Sequence, residues 1–129
     1  MDLIKEKKRF SIIARIKSAT HAWRGLGILF KTTHNFWGHI FFGILAVYLG
    51  FVLDISSIEW IFVVFAIGLV LVTEAFNTAI EIDIDLTSPE YHPYARDTKD
   101  VSAAAVLLSV ITAIIVGLII FLPKIISLL

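Results

Sequence analysis

No cysteine occurs in the 129 residues. Disulfide bonds and thiolate chemistry are therefore excluded, and the redox compartment is left open. Positive charge is scarce beyond residue 35. Eight of the eleven Lys and Arg precede it (Lys5, Lys7, Lys8, Arg9, Arg15, Lys17, Arg24 and Lys31), and only Arg96, Lys99 and Lys124 follow. Charge of either sign is missing from residues 101–122. The first 34 residues also lack an uninterrupted apolar core ahead of a small-residue cleavage site. No cleavable leader is expected, and the later apolar runs are read as spans of the mature protein.

What is present is apolar. Hydrophobic residues make up 58% and mean hydropathy is +0.89, too apolar for an ordinary soluble domain of this length. The length allows one domain, residues 1–129. Three apolar runs predict transmembrane helices at about 36–53, 60–85 and 98–122, each near the ~20 residues that cross ~30 Å of hydrocarbon. They do not alternate as barrel strands do, and helices satisfy the backbone in lipid. Pro123 ends the third run. Ser88-Pro89 and His92-Pro93 predict a loop before it, with Asp97 as the cap of the helix that follows. Upstream, Phe10, Ile13, Ile16, Trp23, Leu26 and Phe30 fall on one helical stripe. Arg15, Lys17, Arg24 and Lys31 lie mostly off it, so residues of about 9–31 are expected to form a basic amphipathic helix in the headgroup layer. A soluble helix packed on a partner is the alternative. The predicted fold class is thus an all-α membrane protein, one interfacial helix followed by three transmembrane helices.

Charge sets the expected orientation. The basic N-terminal segment should be cytoplasmic, the connection 54–59, without Lys or Arg, external, and the connection 86–100, with Arg96 and Lys99, cytoplasmic; Lys124 argues weakly against an external C-terminus. The basic end points to anionic lipid, and no nucleic-acid partner is expected.

Seven of the eleven acids lie between Glu74 and Asp100. Glu74, Asn77, Glu81 and Asp85, spaced by three, four and four, fall within an arc of about 80° on one helix face. Charge in hydrocarbon is costly, so such groups need partners, water or a task. Carboxylates in apolar surroundings hold protons more tightly, which suits proton abstraction. Carboxylate and amide oxygens are hard ligands suited to Mg²⁺, which keeps waters and binds substrate phosphates. Lys99 is a point-charge partner for phosphate, and Asp100 adjoins it. The competing interpretation is a polar seam between helices, for which four aligned acceptors and a Lys-Asp pair are too many. Asp83 faces away from the stripe.

The block from Glu74-Ala-Phe-Asn77 through Glu81 and Asp85, then Glu90-Tyr91-His92-Pro93, Lys99-Asp100 and Ala103-Ala-Ala-Val-Leu107, closely resembles the prokaryotic diacylglycerol kinase family, which includes undecaprenol kinases of Gram-positive bacteria. The resemblance covers about 16–122. It implies a small homotrimeric kinase, with ATP and Mg²⁺, that phosphorylates the hydroxyl of a membrane lipid alcohol. Its setting would be the bacterial inner or plasma membrane, with the multi-pass protein's site facing the cytoplasm. By position, Glu74 resembles the general base and Glu81 the metal-binding glutamate. Asn77, Asp85, Lys99 and Asp100 match polar positions around the nucleotide phosphates, and Lys17, His21 and Arg24 lie on the surface helix that closes over the nucleotide. Phe36, Trp37 and Ala103 are candidates for contact with lipid substrate. The stretch Asn35-Phe36-Trp37-Gly38-His39 looks more like the undecaprenol-kinase branch. One departure stands out: Thr33 occupies the place of a second metal-binding glutamate, with His34, His39 or water as possible substitutes and His34 the candidate carried forward. The alternatives are a diacylglycerol kinase proper, or a non-catalytic lipid-binding or ion-conducting membrane oligomer.

Overall fold

Lipid offers the backbone no hydrogen-bond partners, so long apolar runs become helices. The computed structural model describes residues 10–129. The basic positions Lys5, Lys7, Lys8 and Arg9, and with Arg9 the expected start of the amphipathic helix, lie outside the described residues. Four helices follow in order: α1 (Ile12–Thr32), α2 (His34–Val52), α3 (Ser57–Thr87) and α4 (Pro93–Ile126). No strand occurs among the described residues. The last three helices are long and apolar enough to cross a membrane. The chain is an all-α membrane protein with an N-terminal helix ahead of three membrane-crossing candidates.

Local chemistry sets the helix ends. The Ser11 hydroxyl accepts from the Ala14 N–H and caps α1. Only Thr33 separates α1 from α2, and its extended backbone (φ −113°, ψ 102°) turns the chain between them. Asp54 takes φ 47°, a left-handed conformation that Asp tolerates, in the short turn before α3. Ser56 and Glu59 form a reciprocal capping box at the start of α3.

Two sequence expectations for α4 need correction. The helix starts at Pro93, with His92 rather than Asp97 as its N-cap; the His92 Nδ1 accepts from the Tyr94 N–H. Proline restricts the residue before it but suits the first helical position, where no N–H is needed. The helix also continues through Pro123 to Ile126, since one proline removes a single backbone bond and the Ser127 N–H still reaches the Pro123 carbonyl. At ~1.5 Å per residue, the 31 residues of α3 and 34 of α4 extend about 46 and 51 Å, well beyond ~30 Å of hydrocarbon. The ends carrying Glu81, Asp85 and Lys99 can therefore leave the apolar layer.

Helices α3 and α4 pack most extensively on each other, and α2 lies against α3. Partners step up α3 as they step down α4, the register of an antiparallel hairpin. Lys124 pairs with Glu59 (3.4 Å), Thr73 with Ser109 (2.8 Å), Ser102 with Asn77 (2.7 Å) and Lys99 with Asp85. The apolar core sits at the Glu59 end, around Ile55, Val63, Ile120 and Phe121. There Gly50 permits close approach: a Cβ on it would lie 2.6 Å from Trp60 Cη2. Toward the other end polar groups are buried as well, Glu74, Asn77, Thr78 and Ser102, together with Phe36. Large apolar side chains such as Phe41, Phe62, Phe65 and Ile119 face outward, as lipid or another subunit requires.

Candidate active site

The α3 stripe forms a ladder from buried to exposed. Glu74 is the most deeply buried large side chain, 2% exposed; Asn77 is also buried, and Glu81 and Asp85 are exposed. Seven residues separate Glu74 from Glu81, about 10 Å along the helix. A carboxylate beginning inside an apolar layer is thus linked by one helix face to carboxylates that water can reach.

Each rung has its own partners. The only charged or ionisable neighbour of Glu74 among the described residues is His39 of α2, whose Nε2 lies 3.4 Å from Glu74 Oε2. That nitrogen is buried, and its angle to the carboxylate does not make a hydrogen bond. Ser102 donates to Asn77 Oδ1 at 2.7 Å, with the Lys99 carbonyl at 2.8 Å as an alternative acceptor. The Asn77 amide in turn donates to Glu81 Oε1 at 3.4 Å, so Ser102 fixes which way the amide faces. Lys99 donates to Asp85 Oδ1 at 2.5 Å.

Two clefts flank the ladder. An apolar one of about 260 Å³ lies between α2, α3 and α4, lined by Phe42, Ala66, Val70, Ile114 and Phe121, with His39 at its polar end. A polar one of about 300 Å³ lies under the α3–α4 loop, lined by Asp85, Glu90, His92, Arg96, Lys99 and Asp100.

The other expected site residues are placed as follows. Asp100 lies 3.6 Å from Arg96 on the exposed side of α4, within the polar cleft. Lys17, His21 and Arg24 are exposed on α1 and make no ion pair or side-chain hydrogen bond among the described residues. Phe36 is buried against the edge of Phe30 (5.0 Å between centroids), and Trp37 donates from Nε1 to the Phe30 carbonyl at 3.0 Å. These contacts fasten α2 to the end of α1. Ala103 is exposed beside Ser102, and His34 is exposed. Thr33 Oγ1 lies 3.1 Å from the buried Thr78 Oγ1, so it ties the α1–α2 junction to α3.

Sequence reasoning missed Ser102, Thr78 and the pairing of His39 with Glu74. The first two are hydroxyls whose partners lie on other helices. His39 carried a signal as the one ionisable group, apart from tyrosine, in its apolar run.

The donor chemistry fits a magnesium ion brought with phosphate. Glu81 offers a hard oxygen at the exposed part of the ladder, and phosphate and water oxygens complete such a shell. No group of three or more His, Cys, Asp or Glu close enough to hold an ion occurs among the described residues.

Fold and site together define a small, all-helical integral membrane protein whose polar stripe on α3 runs from buried Glu74 to exposed Glu81 and Asp85. Comparison with known proteins gives that class its family. The family described as prokaryotic diacylglycerol kinase matches residues 20–121. The undecaprenol kinase of Bacillus subtilis (strain 168) is 39% identical over 108 residues, covering 84% of this chain and 88% of that protein. The diacylglycerol kinase of Synechocystis sp. is 38% identical over 112 residues, covering 86% of this chain and 64% of that one. The diacylglycerol kinase of Escherichia coli (strain K12) is 33% identical over 100 residues, covering 78% and 82%. The chain belongs to the prokaryotic diacylglycerol kinase family. It is a lipid kinase, a phosphotransferase acting on a lipid alcohol, and an integral membrane protein of bacteria.

Proposed function

We propose that this protein transfers the γ-phosphate of ATP to the hydroxyl of a membrane lipid alcohol, undecaprenol in preference to diacylglycerol. The observation that carries the reading is the ladder and its clefts. Buried Glu74 adjoins, through His39, a cleft lined by apolar side chains. Exposed Glu81, Asp85 and Lys99 adjoin a polar cleft. A greasy alcohol and a soluble phosphate donor can then meet along one helix face. The preference for undecaprenol rests on the similarity to the Bacillus enzyme and on the Asn35–His39 stretch.

In this reading Glu74 accepts the proton of the lipid hydroxyl as its oxygen attacks phosphorus. Phosphoryl transfer requires positioning and charge neutralisation more than covalent help from the protein. Glu81 would hold Mg²⁺ together with the nucleotide phosphates, and the ion would supply charge neutralisation at the transferring group. Asn77, oriented by Ser102, steadies Glu81. Lys99 and Asp85 set one edge of the phosphate site, and Asp100 its far side. Lys17 and Arg24 bring positive charge, and His21 a hydrogen-bonding ring, over the nucleotide from α1, with the polar end facing the cytoplasm. The outward apolar faces and the half-open ladder suit an assembly, and a homotrimer is proposed from the family resemblance.

Glu74→Gln tests the assignment. It keeps the shape and removes the base, so transfer should fall by about 10²–10⁴-fold while binding of a fluorescent ATP analogue persists. Wild-type turnover would remove Glu74 from the mechanism.

A further inference from the structure

His39 Nε2 is the one buried side-chain nitrogen or oxygen without a hydrogen-bond partner among the described residues. A buried polar atom left unpaired is costly, and in an apolar layer the cost is greater. This one sits between two features. On one side is Glu74 Oε2, 3.4 Å away. On the other is the apolar cleft, whose wall otherwise comes from Phe42, Val70, Ile114 and their neighbours. A histidine that merely filled space here would be better replaced by Phe or Leu.

We propose that His39 is a positioning residue for the Glu74 base. It carries its proton on Nε2 and donates to Glu74 Oε2 when substrate closes the site, leaving Oε1 to face the lipid hydroxyl at the end of the cleft. The inference rests on the reading of Glu74 as base. In the transfer step the hydroxyl proton passes to Glu74 as the lipid oxygen bonds to phosphorus and the bond from phosphorus to the departing diphosphate oxygen breaks. That proton leaves Glu74 for solvent after product release. His39 neither gains nor loses a proton in this balance. It holds one carboxylate oxygen, so that the other is aimed before the alcohol arrives. The 3.4 Å approach already lies within reach of a hydrogen bond, so only its alignment has to change. The same donor selects an alcohol delivered from the cleft over water arriving from the polar end, since it turns the free oxygen toward the apolar side.

The test uses the full-length protein in lipid bicelles with undecaprenol and Mg·ATP, at equal amounts of folded protein. His39→Phe, which fills the space without a donor, should lower kcat by about 10–100-fold, the loss expected of a hydrogen bond to a charged group. KM for both substrates should stay within about twofold, because uniform binding is untouched. His39→Gln, which restores an N–H, should recover much of that loss, and imidazole added to His39→Ala should raise its rate. These last two carry the test if the Phe variant fails to assemble. Wild-type kcat in His39→Phe beside an inactive Glu74→Gln overturns the inference and leaves Glu74 as base. A raised lipid KM with unchanged kcat, or no recovery by either Gln or imidazole, assigns His39 to lipid packing and overturns it too. Full activity in Glu74→Gln overturns the base and the inference together.

Discussion

Removing the Ser102 hydroxyl should cost both stability and nucleotide use. Ser102 is 6% and Asn77 8% exposed, so water cannot replace the bond between them. In Ser102→Ala the Asn77 Oδ1 loses its donor inside the helix pair. A buried acceptor left unpaired costs about 1–3 kcal/mol, and a small cavity adds to this. The second effect is chemical. Without Ser102 the amide can turn over and present its oxygen to Glu81, replacing a donor by an acceptor facing a carboxylate. The Glu81 ligand is then repelled rather than held. The loss of one such bond to a charged group corresponds to about a tenfold rise in the KM for Mg·ATP, with the KM for lipid unchanged. Ser102→Thr keeps the hydroxyl and should stay near wild type. The assays are unfolding in mixed micelles of increasing SDS content and initial rates over a Mg·ATP titration. Wild-type stability and an unchanged Mg·ATP KM in Ser102→Ala would refute the chain of contacts from Ser102 through Asn77 to Glu81.

Gly50→Ala places a Cβ 2.6 Å from Trp60 Cη2 and 3.1 Å from Ile55 Cδ1; overpacking of this kind should destabilise by about 1–3 kcal/mol without altering either KM, and Trp60→Leu should relieve it in SDS unfolding. Thr33→Glu adds a carboxylate opposite Thr78, one helical turn from Glu81 on α3, so the Mg²⁺ concentration for half-maximal activity should fall, whereas Glu81→Ala should be nearly inactive. An unchanged midpoint in Thr33→Glu together with a strongly impaired His34→Ala would assign the metal to a histidine instead. Labels in the α3–α4 connection, at Pro89 or Glu90, should be reached only from the cytoplasmic side and labels at Asp54 only from outside; the reverse would put the polar cleft out of reach of cytosolic nucleotide.

The membrane helices were legible because uncharged runs have one structural solution in lipid. The α3 stripe was legible for a related reason: helical spacing alone puts Glu74, Asn77, Glu81 and Asp85 on one face. Their depth was not, since burial depends on which helices pack where. Chain order sets Glu81 and Asp85 nearer the expected cytoplasmic end than Glu74, but spacing could not show that Glu74 is enclosed by its neighbours and Glu81 open. The start of α4 was misread because His92-Pro93 carries two messages, a restricted His and a proline ready to begin a helix, and the His92 ring decides between them by capping. Ser102, Ser109, Thr73 and Thr78 are small hydroxyls whose importance appears only when a partner stands opposite. Thr33 read as a missing ligand. In place it is a hydroxyl paired with Thr78, which explains why the position tolerates a neutral residue structurally.

The most direct measurement is phosphate transfer from γ-labelled ATP by the purified protein to a panel of lipid alcohols, undecaprenol, diacylglycerol and short-chain analogues, in bicelles with Mg²⁺. Labelled undecaprenyl phosphate should form with a higher kcat/KM than phosphatidic acid, and Glu74→Gln should form neither. A protein that labels no lipid alcohol under these conditions, while binding ATP and remaining folded, would contradict the account.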